Sequence, residues 1–161
     1  MRDLAICIAE ENVSITPFET IQVIKEAGFK KVFVQWYDRQ CFPDYKGYDQ
    51  WEIVRQAVNE GLEVIFAHLG YQNINDMWLP GEKGDKLCDR YIRNGEGGHS
   101  SGMQQVMMHL TKGLNLPSGS VYGLERISRL ADHAEKLGML ISFENNKVPG
   151  YQEYVMSALA S

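Results

Sequence analysis

Two histidines and a glutamate stand at the ends of three apolar runs: His68 in "VIFAHL", His109 in "VMMHL" and Glu144 in "LISFE". An imidazole in such a place can bind a metal, hydrogen-bond a hydroxyl or shuttle a proton. A carboxylate at the mouth of a buried strand is costly unless it is paired, hydrogen-bonded or bound to a cation. Carboxylate oxygen suits hard or borderline divalent ions, which makes Glu144 a candidate metal ligand and catalytic group. An ion pair with Lys112 or Lys147 is the competing account of Glu144. One carboxylate does not make a site, but two histidines on neighbouring runs, with a carboxylate on the next, favour a functional reading of all three.

Other polar and aromatic residues collect just after the same kind of run: Glu10, Glu11 and Asn12, then Gln35, Trp36, Tyr37 and Asp38, then Tyr71, then Thr111 and Lys112, then Asn145, Asn146 and Lys147. In parallel α/β folds ligands bind outside the carboxyl ends of the strands, so these residues point to one rim. Trp36, Tyr71 and Trp78 offer an apolar wall for a ring with a C–H face, or else pack the core. Lys112 can polarise a carbonyl or hold a phosphate, or it is a solvated loop residue. The candidate ligand-contacting set is therefore His68, Tyr71, His109, Lys112, Asn145 and Trp36. His99 and His133 fall between runs and read as surface residues.

Five runs rich in β-branched and apolar residues position these groups: Leu4 to Ala9, Lys31 to Trp36, Leu62 to His68, Gln105 to Leu110 and Leu140 to Glu144. They recur about every 34 residues, a strand-plus-crossover-helix spacing. Most are continuous rather than alternating, which predicts parallel strands buried on both faces. Between them lie helix signals. Thr16 is an N-cap with Pro17 at the first helical position and Glu19 closing a capping box. Asp49 opens the next helix, with Ile53, Val54, Ala57 and Val58 on one face. Leu124, Ile127, Leu130, Ala131, Ala134 and Leu137 define another. Gly28, Gly61 and Gly138 stop these three helices, each just before a strand. The third crossover is weaker: a helix from about Asp85 toward Gly102 meets "NGEGGHSSG", four glycines costing about 1 kcal/mol each relative to alanine. It is expected to break early into a mobile surface loop. The cluster lacks the phosphate-loop pattern and precedes a strand, so it is no phosphate loop.

The chain has 161 residues, 44% of them hydrophobic, which suits one domain over 1–161 with a real core. Cys7, Cys41 and Cys88 are odd in number and widely spaced, which fits free thiols in a reducing compartment and a cytoplasmic location. No stretch approaches the roughly 20 apolar residues of a membrane span, and the N-terminal apolar run is too short for a signal peptide. A formal charge of -5 argues against broad contact with nucleic-acid phosphate. Small-molecule partners gain ground.

The segments "FAHLGY", "MHLTKG" and "ISFEN", with "GLERISRLADHAEKLG" before the last, resemble the xylose-isomerase-like TIM-barrel superfamily. The resemblance runs from Leu4 to about Tyr154. It implies a parallel (β/α) fold with about five of eight units, an incomplete barrel unless another chain completes it. It also implies a metal-dependent sugar or sugar-phosphate isomerase or epimerase, working by a proton or hydride shift beside a carbonyl, on a small sugar or polyol. By that likeness Glu144 is the first ligand of a divalent metal (manganese, magnesium, zinc or cobalt), and His68 and His109 line the substrate site. A complete barrel takes about 250 residues, so the remaining ligands and a second catalytic carboxylate have no counterpart here. The chain is then expected to be truncated, and a competent two-base epimerase site needs another chain to supply the missing groups. Two alternatives stay open: a DNA-repair nuclease of the endonuclease IV type, and a non-catalytic remnant or assembly module. An open sheet exposes edges and the barrel interior, which predicts a homodimer.

Overall fold

A computed structural model of the protein describes residues 4–8, 14–36, 47–144 and 150–160. Asn145, Asn146, Lys147, Glu10, Glu11, Asn12, Tyr37, Asp38 and Cys41, singled out above, lie outside the described residues. Five strands alternate with helices: β1 (Ala5–Ile8), α1 (Pro17–Glu26), β2 (Lys31–Trp36), α2 (Gln50–Asn59), β3 (Glu63–Leu69), α3 (Glu82–Ser100), β4 (Gln105–His109), α4 (Val121–Leu137), β5 (Leu140–Glu144) and α5 (Tyr151–Leu159). A short 3-10 turn, Ile74–Trp78, follows β3. The strands form one parallel sheet in the order β1-β2-β3-β4-β5. Each strand thus pairs with the next along the chain, as successive βα units require.

The caps act as the residue types imply. Thr16 accepts from the Glu19 amide, and the Glu19 carboxylate accepts from the Thr16 amide at 2.7 Å, a complete capping box. Asp49 accepts from the Trp51 amide at 2.8 Å. Gly138 ends α4 in the left-handed region, at φ 68°. Val58 is an exception: it is exposed, so the buried face of α2 is Ile53, Val54 and Ala57.

The expectation of strands buried on both faces needs correction. Burial alternates strictly along β2: Val32, Val34 and Trp36 are buried while Lys31, Phe33 and Gln35 are half-exposed, and β4 repeats the pattern. The helices cover one face. The other, carrying Cys7, Phe33, Phe66 and Met107, is only partly shielded, with Phe33 and Phe66 stacked at 4.7 Å. Continuous apolar runs therefore mean something different on the two faces here: core on one side and partly exposed hydrophobic surface on the other.

A second correction concerns α3. The helix does not break at the glycines; it begins at Glu82, earlier than expected, and runs 19 residues to Ser100, through Gly95, Gly97 and Gly98. Packing overrides propensity. A Cβ on Gly97 would lie 2.7 Å from Cζ2 of Trp36, and one on Gly98 would touch Ala67 and Val106. The glycines let α3 lie close against β2, β3 and β4, and that close packing offsets their entropic cost.

Candidate functional site

The aim of His68 depends on an irregularity in the sheet. Val32 pairs with Val64 but Val34 pairs with Ala67, so β3 carries one extra residue there. Without it, His68 would fall in phase with Val34 and Trp36 and point under the helices. With it, Ala67 and Leu69 take the helix-covered side and His68 comes opposite Gln35 on the other. On β4 and β5 no such device is needed, because His109 and Glu144 are register partners.

These three side chains converge. Nε2 of His68 lies 2.8 Å from Oε2 of Glu144, and Nε2 of His109 lies 3.2 Å from the same oxygen. The His68 and His109 rings meet edge to face at 5.2 Å between centroids. Their ligand atoms all fall within 4.8 Å of one another, as a shared cation requires. Two imidazole nitrogens and a carboxylate oxygen form a donor set typical of zinc and suited to related divalent ions. His68 is 7% exposed, whereas the Glu144 side chain is 43% exposed, so the cluster is rooted in the sheet and open on its carboxylate side. The residues present fit a bound cation. Lys112 does not pair with Glu144; its ammonium lies 4.9 Å from the Tyr71 ring centroid, and that ring sits 4.5 Å from His109.

The connection after β3 is held tightly. Tyr91 donates to the Gly70 carbonyl at 2.8 Å, and Trp78 donates through Nε1 to the Leu110 carbonyl at 2.7 Å. Arg126, on α4 and 4% exposed, donates to the carbonyls of Asp76, Met77, Leu79 and Gly81 and to the Asp85 carboxylate. Asn75 accepts from the Lys112 amide at 2.8 Å and donates to its carbonyl at 2.9 Å, which joins this segment to the end of β4. Tyr71 and Lys112 are therefore carried on one braced unit.

The structure places Tyr71, Lys112, His68, His109 and Glu144 together, and it separates two aromatics from them. Trp36 is 5% exposed on the helix side, edge to face with Trp51 and against Gly97, so it is core and not a ligand wall. Trp78 is 1% exposed, packed on Tyr151 and on Gly123, and is core as well. His99 is exposed and His133 pairs with Glu96 at 3.1 Å, both away from the cluster. Cys88 is a buried free thiol whose Sγ donates to the Arg126 carbonyl at 3.4 Å. Gln72, Asn73, Asn75 and Asp76 line a polar cleft with Lys112 that the sequence reading did not anticipate. The polar run "YQNIND" after the third strand was the available signal.

The sequence matches no family model and no curated protein. Solved structures share the fold. An L-ribulose 3-epimerase superposes with a TM-score of 0.70 at 16% identity, over 100% of this chain and 58% of that one. D-Psicose 3-epimerase from Clostridium cellulolyticum H10, solved with D-tagatose, gives 0.66 at 15% identity, over 96% of this chain and 59% of that one. A family 2 AP endonuclease from Brucella melitensis gives 0.67 at 13% identity, over 99% and 64%. The fold is thus that of part of a TIM barrel, and the chain spans about three fifths of these structures' length.

Proposed function

We propose that the protein is a divalent-metal-dependent isomerase or epimerase of a small sugar or polyol. The observation that carries this is the convergence of the His68 and His109 imidazoles on one oxygen of Glu144. His68, His109 and Glu144 would hold the cation, which gives the two histidines a role at the metal as well as in the wall of the substrate site. If bound, the cation would stabilise negative charge on a substrate oxygen, while the Glu144 carboxylate would take the proton from the neighbouring carbon. Lys112 and the Tyr71 ring beside it orient the substrate, Lys112 as a donor and Tyr71 as a rigid apolar face. The half-exposed Glu144 side chain leaves the cluster reachable by a ligand from the carboxylate side. The two epimerases among the fold relatives support this choice of substrate class.

A second reading, hydrolysis at abasic sites in DNA, draws on the nitrogen-rich donor set and on the AP endonuclease relative. The formal charge of -5 counts against it, since phosphate contact rewards clustered lysine and arginine. One experiment separates the readings. The manganese- or zinc-loaded protein is incubated in deuterated water with ketopentoses and ketohexoses, and in parallel with abasic-site DNA. Deuterium entering the carbon beside the carbonyl, abolished in Glu144→Ala, is the expected result; metal-dependent DNA cleavage without deuterium uptake would replace the proposal with the second reading.

A further inference from the structure

Beside the histidine–glutamate cluster lies an open cleft of about 290 Å³ lined by Gln72, Asn73, Ile74, Asn75, Asp76 and Lys112. Its size is at the small end for ligand pockets, enough for one end of a small molecule. It adjoins the cluster through a single ring: the Lys112 ammonium rests over Tyr71, and Tyr71 rests against His109. Its walls are fixed by the reciprocal hydrogen bonds between Asn75 and Lys112 and by the Arg126 contacts behind Met77, Leu79 and Gly81. Asn73, at its lip, holds the left-handed conformation with φ 61°, the one described non-glycine residue to do so, which fixes a sharp turn in the wall.

We infer that this cleft receives the hydroxylated, uncharged end of the substrate, so that the protein acts on free sugars rather than sugar phosphates. The inference rests on the isomerase reading above. Its basis is charge and hydrogen-bond type. The lining holds one cation, Lys112, and one anion, Asp76, beside three amide side chains. A phosphate carries about -1.5 to -2 charges at pH 7 and prefers clustered arginines, helix N-termini or runs of backbone amides. Asp76 would repel it, and a single lysine leaves it under-compensated. Hydroxyl groups both donate and accept, and so does this lining: the Asn73 amide does both, Lys112 donates and Asp76 accepts, while the Asn75 amide is held by the Lys112 backbone. The arrangement suits a short polyol tail while the carbonyl end lies at the histidine–glutamate cluster.

The test is to measure dissociation constants of the metal-loaded protein for D-fructose and D-fructose 6-phosphate by ligand-observed NMR, in the wild type and in Asp76→Asn. The free sugar is expected to bind at least tenfold tighter than the phosphate, with the ratio falling toward one in Asp76→Asn because a repulsive charge is removed. Tighter binding of the phosphate, or a ratio that Asp76→Asn leaves unmoved, overturns the inference while the isomerase reading stands. Failure of both sugars to bind protein that retains its metal overturns both.

Discussion

At the scale of single residues, chemistry and packing make different demands on side chains that look alike in the sequence. Trp36 and His68 both fall near strand ends, but one is sealed under α3 and the other joins Glu144. The type of His68, His109 and Glu144 was legible, because imidazoles and a carboxylate are costly in apolar runs without partners. Their convergence was not: the extra residue in β3 that turns His68 inward leaves no mark in "VIFAHL". Gly97 shows the reverse case. Its cost as a helix residue was visible, but the Trp36 ring that requires it was not. Gly97→Ala is accordingly expected to destabilise the fold by about 1–3 kcal/mol, although alanine is the better helix former. Chemical denaturation with Trp fluorescence checks this; unchanged or increased stability would mean that α3 does not depend on close approach to β2.

At the scale of elements, the strands and most helices followed from caps, stop glycines and apolar spacing, and β2 and β5 fall where the runs placed them. Errors arose where long-range packing decides. The helix through "NGEGGHS" survives because Gly97 and Gly98 face the sheet, a fact of tertiary contact and not of propensity. The connection after β3 is irregular, and its order comes from partners distant in sequence. Arg126 alone donates to four of its carbonyls, and Trp78 spans to Leu110. A segment built this way carries no periodicity to read. Its polar residues, Gln72 to Asp76, are nonetheless those that shape the cleft next to the cluster.

At the scale of the whole molecule, the sheet has a helix-covered face and a partly shielded one, and the described edges are β1 and β5. Phe33, Phe66, Met107 and Cys7 lie on the second face, which in a closed barrel is interior. Partly exposed apolar surface of this kind favours association. Sedimentation velocity is expected to show a dimer of this chain at micromolar concentration; a monodisperse monomer across that range would remove the proposal. No described helix is long and apolar enough to cross a membrane. The parallel order of five strands puts His68, His109 and Glu144 at the same end of three neighbouring strands, and the account stands on what that placement can hold. The direct test is titration with Co²⁺ followed in the visible region, where a protein site of mixed nitrogen and oxygen donors gives absorption bands that the hydrated ion lacks. Saturable bands at about one ion per chain, lost in Glu144→Ala and in His68→Ala while both variants keep the wild-type circular dichroism, are the expected result. Identical spectra for the wild type and the two variants would contradict the metal site and the function built on it.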